Sequence, residues 1–220
     1  MSAGAGRSVL VTGGTVRLGR AIADRLRADG WRVLVTSHRP DAGADVVADF
    51  ATPSGAVQAY AAALRLLGGV PPDALVNNAA LFADEEPALE AVNVTAPAKL
   101  TMLMAGRETT TRGSVVNVLD TRVLGGELPD GPYARTKRAL LSETRKAAAL
   151  FAETLRVNAV APGPVFAPTE VHEKAGETLL GHPTADDVAA AVAYLLDATS
   201  TTGAVLPVDG GQHLLADVPS

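Results

Sequence analysis

The sequence predicts an α/β fold in which helices cover both faces of one doubly wound parallel sheet. Short runs of β-branched residues alternate with longer stretches rich in Ala, Leu and Arg that have helical periodicity, which is typical of repeated βαβ units. Several of the short runs are almost wholly apolar, as expected for strands that are buried on both faces. A length of 220 residues, of which 47% are hydrophobic, suits a single core, and no linker or internal repeat divides the chain.

Strands and helices alternate along the predicted domain, which spans residues 1–220 with residues 1–7 as a flexible N-terminus. The strands are predicted at residues 9–11, 32–36, 46–49, 74–77, 114–119, 156–160 and 205–208. The helices are predicted at residues 18–29, 54–67, 87–107, 133–154 and 185–197. The Pro- and Gly-rich stretches at 68–72 and 162–168 are short enough to be loops between these elements.

Composition and charge exclude several classes of function. A formal net charge of -5 without any cluster of Lys and Arg argues against nucleic acid as a partner. The absence of cysteine excludes disulfides, thiol nucleophiles and zinc–thiolate sites. The start, MSAGAGRS, has no apolar signal-peptide core, and no apolar run approaches the ~18 residues that span a bilayer, so we expect a cytoplasmic protein without a membrane partner. His172, His182 and His213 lack metal-ligand spacing, so no metal site is expected.

The turn between the first strand and the first helix reads TGGTVRLG, from Thr12 to Gly19. Ligands of doubly wound sheets bind at the carboxyl ends of the strands, which makes this turn the expected binding site. Gly13 and Gly14 allow a tight turn, Gly19 allows the helix to pack on the sheet, and the first N–H groups of the helix can bind a pyrophosphate. Arg17 stands near the usual place of a middle glycine. The alternative is an ordinary tight connection that binds nothing.

The end of the second strand indicates which dinucleotide is bound. An NAD-binding domain of this kind usually has an Asp or Glu about 20 residues after the glycines, where it binds the ribose 2′-hydroxyl. This chain has Ser37, His38 and Arg39 at that place, and these side chains suit a 2′-phosphate. The sequence therefore predicts NADP(H), although Arg39 could also be a solvated loop residue before Pro40.

Tyr133 and Lys137 form a second candidate site. They are four residues apart at the start of a predicted helix and therefore share one face of it. An ammonium group near a phenol lowers the phenol pKa from ~10, which would make the tyrosine a proton donor and acceptor. The alternative is an ordinary pair on the surface of the helix.

Six motifs occur in one order along most of the chain: TGxxxRxG from Thr12, NNAA from Asn77, VNVTAP from Val92, YxxxK from Tyr133, VNAVAPGPV from Val157 and VDGG from Val208. In this order they resemble the short-chain dehydrogenase/reductase family. The resemblance implies a Rossmann-type sheet of about seven strands, a nicotinamide cofactor, and a homotetramer or homodimer. It assigns proton transfer to Tyr133, binding of the nicotinamide ribose to Lys137 and a water-linked proton relay to Asn93. The implied cofactor-binding set is Gly13, Arg17, Leu18, Gly19, Ser37, His38, Arg39, Asp49, Asn77, Ala79, Tyr133, Lys137, Pro162, Gly163 and Val165.

One departure from the family pattern narrows the resemblance. Asp120 stands thirteen positions before Tyr133, where most members have a serine that donates a hydrogen bond to a substrate carbonyl, and an ionised carboxylate cannot donate. The combination of Arg17, Arg39 and Asp120 resembles the pattern of one branch of the family, the pteridine reductases and dihydromonapterin reductases. In that branch an aromatic residue after the NNA motif stacks on the pterin, and Phe82 has that place here, although a core phenylalanine is the alternative.

The expected function is NADPH-dependent reduction of a C=N bond in a pterin-like small molecule. The expected substrate-binding residues are Arg17, Phe82, Asp120 and Tyr133, and Asp120 joins Asn93, Tyr133 and Lys137 in the catalytic set. One alternative is a general carbonyl/alcohol oxidoreductase of the same family, with Asp120 as an incidental substitution. A further alternative is a catalytically idle NADP(H)-binding regulator, against which the proton-transfer residues argue.

Overall fold

The computed structural model of the chain describes residues 6–82, 86–125, 131–166 and 178–217. In these residues seven strands form one doubly wound sheet, and six helices cover its two faces. The strands are β1 (Ser8–Val11), β2 (Arg32–Ser37), β3 (Val46–Val47), β4 (Ala74–Asn77), β5 (Gly113–Val118), β6 (Leu155–Pro162) and β7 (Val205–Val208). The helices are α1 (Arg17–Ala28), α2 (Gly55–Leu66), α3 (Glu86–Glu90), α4 (Ala96–Ala105), α5 (Pro132–Leu150) and α6 (Ala185–Asp197).

All seven strands are parallel and lie in the order β3-β2-β1-β4-β5-β6-β7. The order reverses between β1 and β4, so the turns after these two strands open at the place where doubly wound sheets bind ligands. The predicted fold class is therefore confirmed.

Helices on both faces bury the apolar strands. On one face α1 packs against α6, and Ile22, Leu26 and Val192 lie fully buried between these helices and the sheet. On the other face α4 packs against α2 and α5, with Leu100 and Met104 in its core. Buried side chains from both faces hold the central strands, which explains the near-continuous apolar runs in the sequence.

Most element ends lie within one or two residues of the sequence prediction, and some coincide with it. Strand β3 ends at Val47 rather than at residue 49. The single helix predicted at 87–107 is α3 and α4 joined by a π-helical turn, Ala91–Thr95, which adds one residue per turn and breaks the regular spacing. Helix α5 begins at Pro132 and ends at Leu150, because the backbone of Phe151 and Thr154 forms a turn before β6.

The chain ends are only partly described. Residues 1–5 of the predicted flexible N-terminus lie outside the described residues. Arg7 is ion-paired to Asp197 at 2.5 Å, and its guanidinium carbon lies 4.1 Å from the Trp31 ring centroid. In the part of the chain that the structure describes, no helix has both the length and the apolar character needed to cross a membrane.

Candidate active site

The glycine-rich turn after β1 depends on missing side chains. Gly13 has a φ of +64°, in the left-handed region that favours glycine. A Cβ atom on Gly14 would lie 2.6 Å from a Val35 methyl group, and one on Gly19 would lie 2.1 Å from the carbonyl oxygen of Gly13. The start of α1 can approach the turn only because Gly19 has no side chain.

Arg17 has a strained backbone at the first position of α1. Its φ is +49°, and among the described residues it is the one non-glycine residue with a positive φ. Its guanidinium carbon lies 4.8 Å from the centroid of the Phe166 ring. Residues held in sparsely populated backbone conformations concentrate at functional sites, and Arg17 lines both clefts described below.

A cleft of about 420 Å³, called the first cleft, runs along the carboxyl ends of β1, β2 and β4. Nine residues of the predicted cofactor-binding set line it: Gly13, Arg17, Leu18, Gly19, Ser37, His38, Arg39, Asp49 and Ala79. At its β2 end, the Ser37 hydroxyl accepts a hydrogen bond of 3.0 Å from the Arg39 backbone N–H. The structure thus brings the glycine turn and the basic loop to one cleft.

Asn77 does not line either cleft, and its contact with the cofactor stays a prediction. Its side chain is 2% exposed and donates a hydrogen bond of 2.8 Å to Asn117 Oδ1. Asn78 lines both clefts instead, and its amide donates to the carbonyl oxygens of Thr12 and Gly13 at 3.0 and 3.2 Å. Successive side chains of a strand point to opposite sides, and the sequence alone does not show which asparagine faces the ligand.

Asn93 lies in the π-helical turn, and its side chain forms hydrogen bonds to the backbone of the segment after β4. Its Oδ1 accepts from the Leu81 N–H at 2.8 Å, and its Nδ2 donates to the Leu81 carbonyl at 2.9 Å and to Thr136 Oγ1 at 3.1 Å. Thr136 in turn donates to the Tyr133 carbonyl oxygen at 2.7 Å. The side chain of Asn93 therefore connects the backbone beside Phe82 to the helix that carries Tyr133, while its role in a water-linked relay stays a prediction.

A second cleft of about 370 Å³ adjoins Arg17 at the carboxyl ends of β5 and β6. Among the residues that line it are Arg17, Leu18, Asp120, Arg122, Tyr133, Lys137, Pro162, Gly163, Val165 and Phe166. Of these, Arg122 and Phe166 were not predicted from the sequence. Arg122 could have been found from the sequence by its position two residues after Asp120, which puts both residues on the same turn.

Phe82 stands beside Tyr133, and their ring centroids are 4.8 Å apart with an angle of 58° between the rings. The Phe82 side chain is 57% exposed, so the alternative of a core phenylalanine is wrong. Its exposed ring offers a surface on which a flat ligand can stack.

Tyr133 and Lys137 occupy the first turns of α5, as the sequence predicts. Lys137 is 3% exposed, and its ammonium donates a hydrogen bond of 2.9 Å to the carbonyl oxygen of Val118. Burial lowers the pKa of Lys137 to about 8, although the charge of Asp120 acts in the opposite direction. The lysine nitrogen lies 5.6 Å from the centroid of the tyrosine ring.

The expectation of a lowered Tyr133 pKa is wrong for this structure. Burial raises the Tyr133 pKa, the negative charge of Asp120 raises it further, and Arg122 opposes both effects. The ammonium of Lys137 is bound to Val118, and desolvation of the phenol outweighs the nearby positive charges. Tyr133 consequently keeps its proton at neutral pH, which suits a proton donor.

Asp120 follows β5 and caps a single 3₁₀ turn, Thr121–Val123. Its Oδ1 accepts from the backbone N–H of Arg122 at 2.9 Å and from Arg122 Nε at 3.1 Å, and its Oδ2 accepts from Arg122 Nη2 at 3.3 Å. The Arg122 guanidinium carbon lies 5.9 Å from the centroid of the Tyr133 ring. A carboxylate and a guanidinium thus stand together beside the phenol.

Comparison with known proteins places this arrangement in a family. The family model described as Enoyl-(Acyl carrier protein) reductase matches residues 17–213, which is most of the chain and includes the whole second cleft and most of the lining of the first. The chain belongs to the short-chain dehydrogenase/reductase family. This membership confirms the resemblance of the ordered motifs.

Relatives in the short-chain dehydrogenase/reductase family have different names. A protein of Streptomyces violaceoruber named as ketoacyl reductase 2 of the granaticin polyketide synthase is 35% identical, over 94% of this chain and 96% of its own. The crystal structure of the FolM alternative dihydrofolate reductase 1 from Brucella canis complexed with NADP is similar with a TM-score of 0.87 and 29% identity, over 98% of this chain and 97% of that one. A short chain dehydrogenase from Burkholderia cenocepacia J2315 in complex with NADP has a TM-score of 0.82 and 28% identity, over 94% and 97% of the two chains.

The first cleft of this short-chain dehydrogenase/reductase suits the phosphate groups of a dinucleotide. Val16 precedes α1 without a side-chain hydrogen bond to the helix start, so the first N–H groups of α1 are available to phosphate oxygens. Gly13 and Gly19 line this cleft without side chains, and Arg39 and His38 add donors at its far end. Among the described residues, no group of three or more side chains could hold a metal ion.

Proposed function

We propose that this NADP(H)-dependent oxidoreductase reduces a C=N bond of a pterin-like substrate, of the type that converts a dihydropterin to a tetrahydropterin. The observation that carries the proposal is the Asp120 carboxylate, which lines the second cleft together with Tyr133, where most family members have a hydroxyl. A carboxylate accepts hydrogen bonds, so it suits a substrate that presents N–H donors at this position.

The neighbouring threonine does not supply the missing hydroxyl. Thr121 is 4% exposed, and its hydroxyl donates to the buried carboxylate of Asp209. The hydroxyl is therefore already bonded to a buried carboxylate. A simple ketone would lack the usual serine-type donor beside Tyr133, whereas an amino-substituted nitrogen ring would find an acceptor.

The aromatic and cationic side chains suit a flat, polar ring. Phe82 offers an exposed ring next to Tyr133, and Arg17 lies where the two clefts meet. We place the pterin between the Phe82 ring and the nicotinamide end of the cofactor. Arg17 would then donate hydrogen bonds to acceptor atoms of the ring or to the cofactor phosphates.

The chemistry is the addition of a hydride and a proton across C=N. NADPH supplies the hydride to carbon when it is bound. Tyr133 supplies the proton to the adjacent nitrogen, and its raised pKa keeps that proton in place until negative charge develops there. Lys137 would bind the nicotinamide ribose and keep its positive charge near the tyrosine. Asp120 would orient the substrate ring by accepting hydrogen bonds from the N–H groups of that ring.

A second candidate, reduction of a carbonyl, is favoured by one observation. The relative from Streptomyces violaceoruber at 35% identity is named as a ketoacyl reductase, and a proton-donating tyrosine serves C=O as well as C=N.

A cytoplasmic location and a homotetramer or homodimer stay predictions. Light scattering in solution tests the oligomeric state.

The deciding experiment is NADPH oxidation with dihydromonapterin, dihydrobiopterin, dihydrofolate, quinonoid pterin and several ketones. We expect turnover of dihydropterins, and we expect Asp120→Ala to lower it at least ~10-fold, the factor that corresponds to loss of one hydrogen bond to a charged group. Glu143→Gln is the control, since it removes an exposed carboxylate paired with Lys146. Pterin turnover by Asp120→Ala within a few-fold of the wild type would refute the role of Asp120. Ketone turnover alone would favour the carbonyl reductase, and tight NADPH binding without any turnover would favour the regulator.

A further inference from the structure

Arg122 has no role in the reaction described above, yet it makes three hydrogen bonds to the Asp120 carboxylate. Its backbone N–H and Nε both bind Oδ1, at 2.9 and 3.1 Å, while Nη2 binds Oδ2 at 3.3 Å. The side chains of Asp120 and Arg122 are 17% and 32% exposed. A planar guanidinium that binds both oxygens restricts the rotation of a carboxylate more than a point charge would.

The backbone of the turn is held independently of this ion pair. Thr121 donates to Asp209, which also accepts from the Gly211 N–H at 2.9 Å and from the His213 N–H at 2.9 Å. These bonds tie the turn after β5 to the turn after β7. Loss of the Arg122 side chain should therefore leave the turn and the backbone N–H bond to Oδ1 in place, and remove only the guanidinium bonds to the Asp120 carboxylate.

We propose that Arg122 is a positioning residue that acts through Asp120, holding its carboxylate in the second cleft as an oriented acceptor for substrate N–H groups. This inference rests on the proposed reduction of a pterin-like ring. Arg122 makes two hydrogen bonds to Oδ1 and one to Oδ2, so Oδ2 can accept a further one, and the cleft that Asp120 lines is where a substrate would supply it.

The two residues of this pair shift the Tyr133 pKa in opposite directions. Asp120 raises the Tyr133 pKa and Arg122 lowers it, and the guanidinium faces the tyrosine ring at 5.9 Å. Arg122 thus allows a carboxylate to stand beside the proton donor with part of its charge compensated.

The test compares four variants with the wild type: Arg122→Gln, Arg122→Lys, Asp120→Asn and the double variant Arg122→Gln/Asp120→Asn. We expect Arg122→Gln to lower kcat/KM for a dihydropterin at least ~10-fold, as for loss of a charged hydrogen-bond partner, and to change the Kd for NADPH less than about twofold. Arg122→Lys should recover part of the activity, since it restores the charge without the fork. The double variant should be no less active than Asp120→Asn, because a residue that acts through another gives non-additive effects.

Arg27→Gln is the matched control. It removes an exposed arginine bonded to Asp24 at 3.0 Å on the surface of α1, so pterin turnover should be unchanged. If Arg122→Gln lowers Tm below the assay temperature, Arg122→Lys replaces it, with an expected loss of several-fold.

Two results overturn the inference. Full pterin turnover by Arg122→Gln, alongside an impaired Asp120→Asn, would exclude the positioning role and leave the proposed reaction standing. A double variant whose losses multiply would show that Arg122 acts independently of Asp120. Absence of pterin turnover in the wild type is a different failure, since it overturns the proposed function and this inference with it.

Discussion

Arg17 allows its backbone strain and its side-chain function to be measured separately. The residue has a φ of +49° at the start of α1, and a left-handed conformation costs a non-glycine residue about 1–2 kcal/mol. Arg17→Ala keeps this strain and removes the guanidinium, whereas Arg17→Gly removes both. Glycine loses more chain entropy on folding, which offsets part of the gain from relieved strain. The net expectation is that Arg17→Gly is more stable than Arg17→Ala by about 1 kcal/mol.

That difference corresponds to about 2–4 °C in Tm for a domain of this size, measured by calorimetry or by circular dichroism on the cofactor-free protein. Both variants should lose about the same amount of pterin turnover, roughly 10-fold to 100-fold in kcat/KM, because both lack the charged donor. The Kd for NADPH should rise far less, since the glycine turn and the basic loop remain. Arg20→Ala, which removes an exposed arginine from the same helix, controls for the change in net charge.

Two outcomes would refute this reasoning. If Arg17→Gly were less stable than Arg17→Ala, the left-handed backbone would not be a cost to the protein. If both variants reduced pterins at the wild-type rate, Arg17 would not contact the substrate, whatever its position between the clefts.

Three other changes test the rest of the site. Arg39→Ala should raise KM for NADPH at least ~10-fold and leave that for NADH nearly unchanged, because only NADPH has a 2′-phosphate for this cation to bind; an equal change for both cofactors in steady-state assays would contradict the assignment. Gly19→Ala should lower stability by about 1–3 kcal/mol in urea unfolding and weaken NADPH binding, since its Cβ would lie 2.1 Å from a backbone oxygen, and unimpaired binding would contradict the close approach. Burial lowers the pKa of Lys137 to about 8, so the unfolded chain binds this proton more tightly and stability should rise with pH above about 8. From about pH 7.5 to about pH 9.5 the free energy of unfolding of the wild type should rise by roughly 2 kcal/mol relative to that of Lys137→Met. If urea unfolding gives the same difference between the two proteins at both pH values, this effect is excluded.

Local patterns in the chain determined much of the protein. Alternation of apolar runs with helical periodicity is a property of neighbouring residues, so the order of strands and helices and the doubly wound sheet could be predicted. Gly13 and Gly19 were predictable for the same reason, because a tight turn into a helix needs residues without side chains at fixed offsets. Tyr133 and Lys137 were also predictable, since residues four apart on a helix share a face.

Other features depend on contacts between distant segments, and only the tertiary structure decided them. The sheet determines that Asn78 lines the clefts while Asn77 is bonded to Asn117, and the π-helical turn at Asn93 arises where that side chain bonds to Leu81 and Thr136. The sign of the Tyr133 pKa shift is the clearest case. Spacing along the chain indicated a nearby ammonium, but the pKa of a phenol follows its desolvation and every charge around it, and these exist only once α5, the turn of Asp120 and Arg122, and the sheet have packed together.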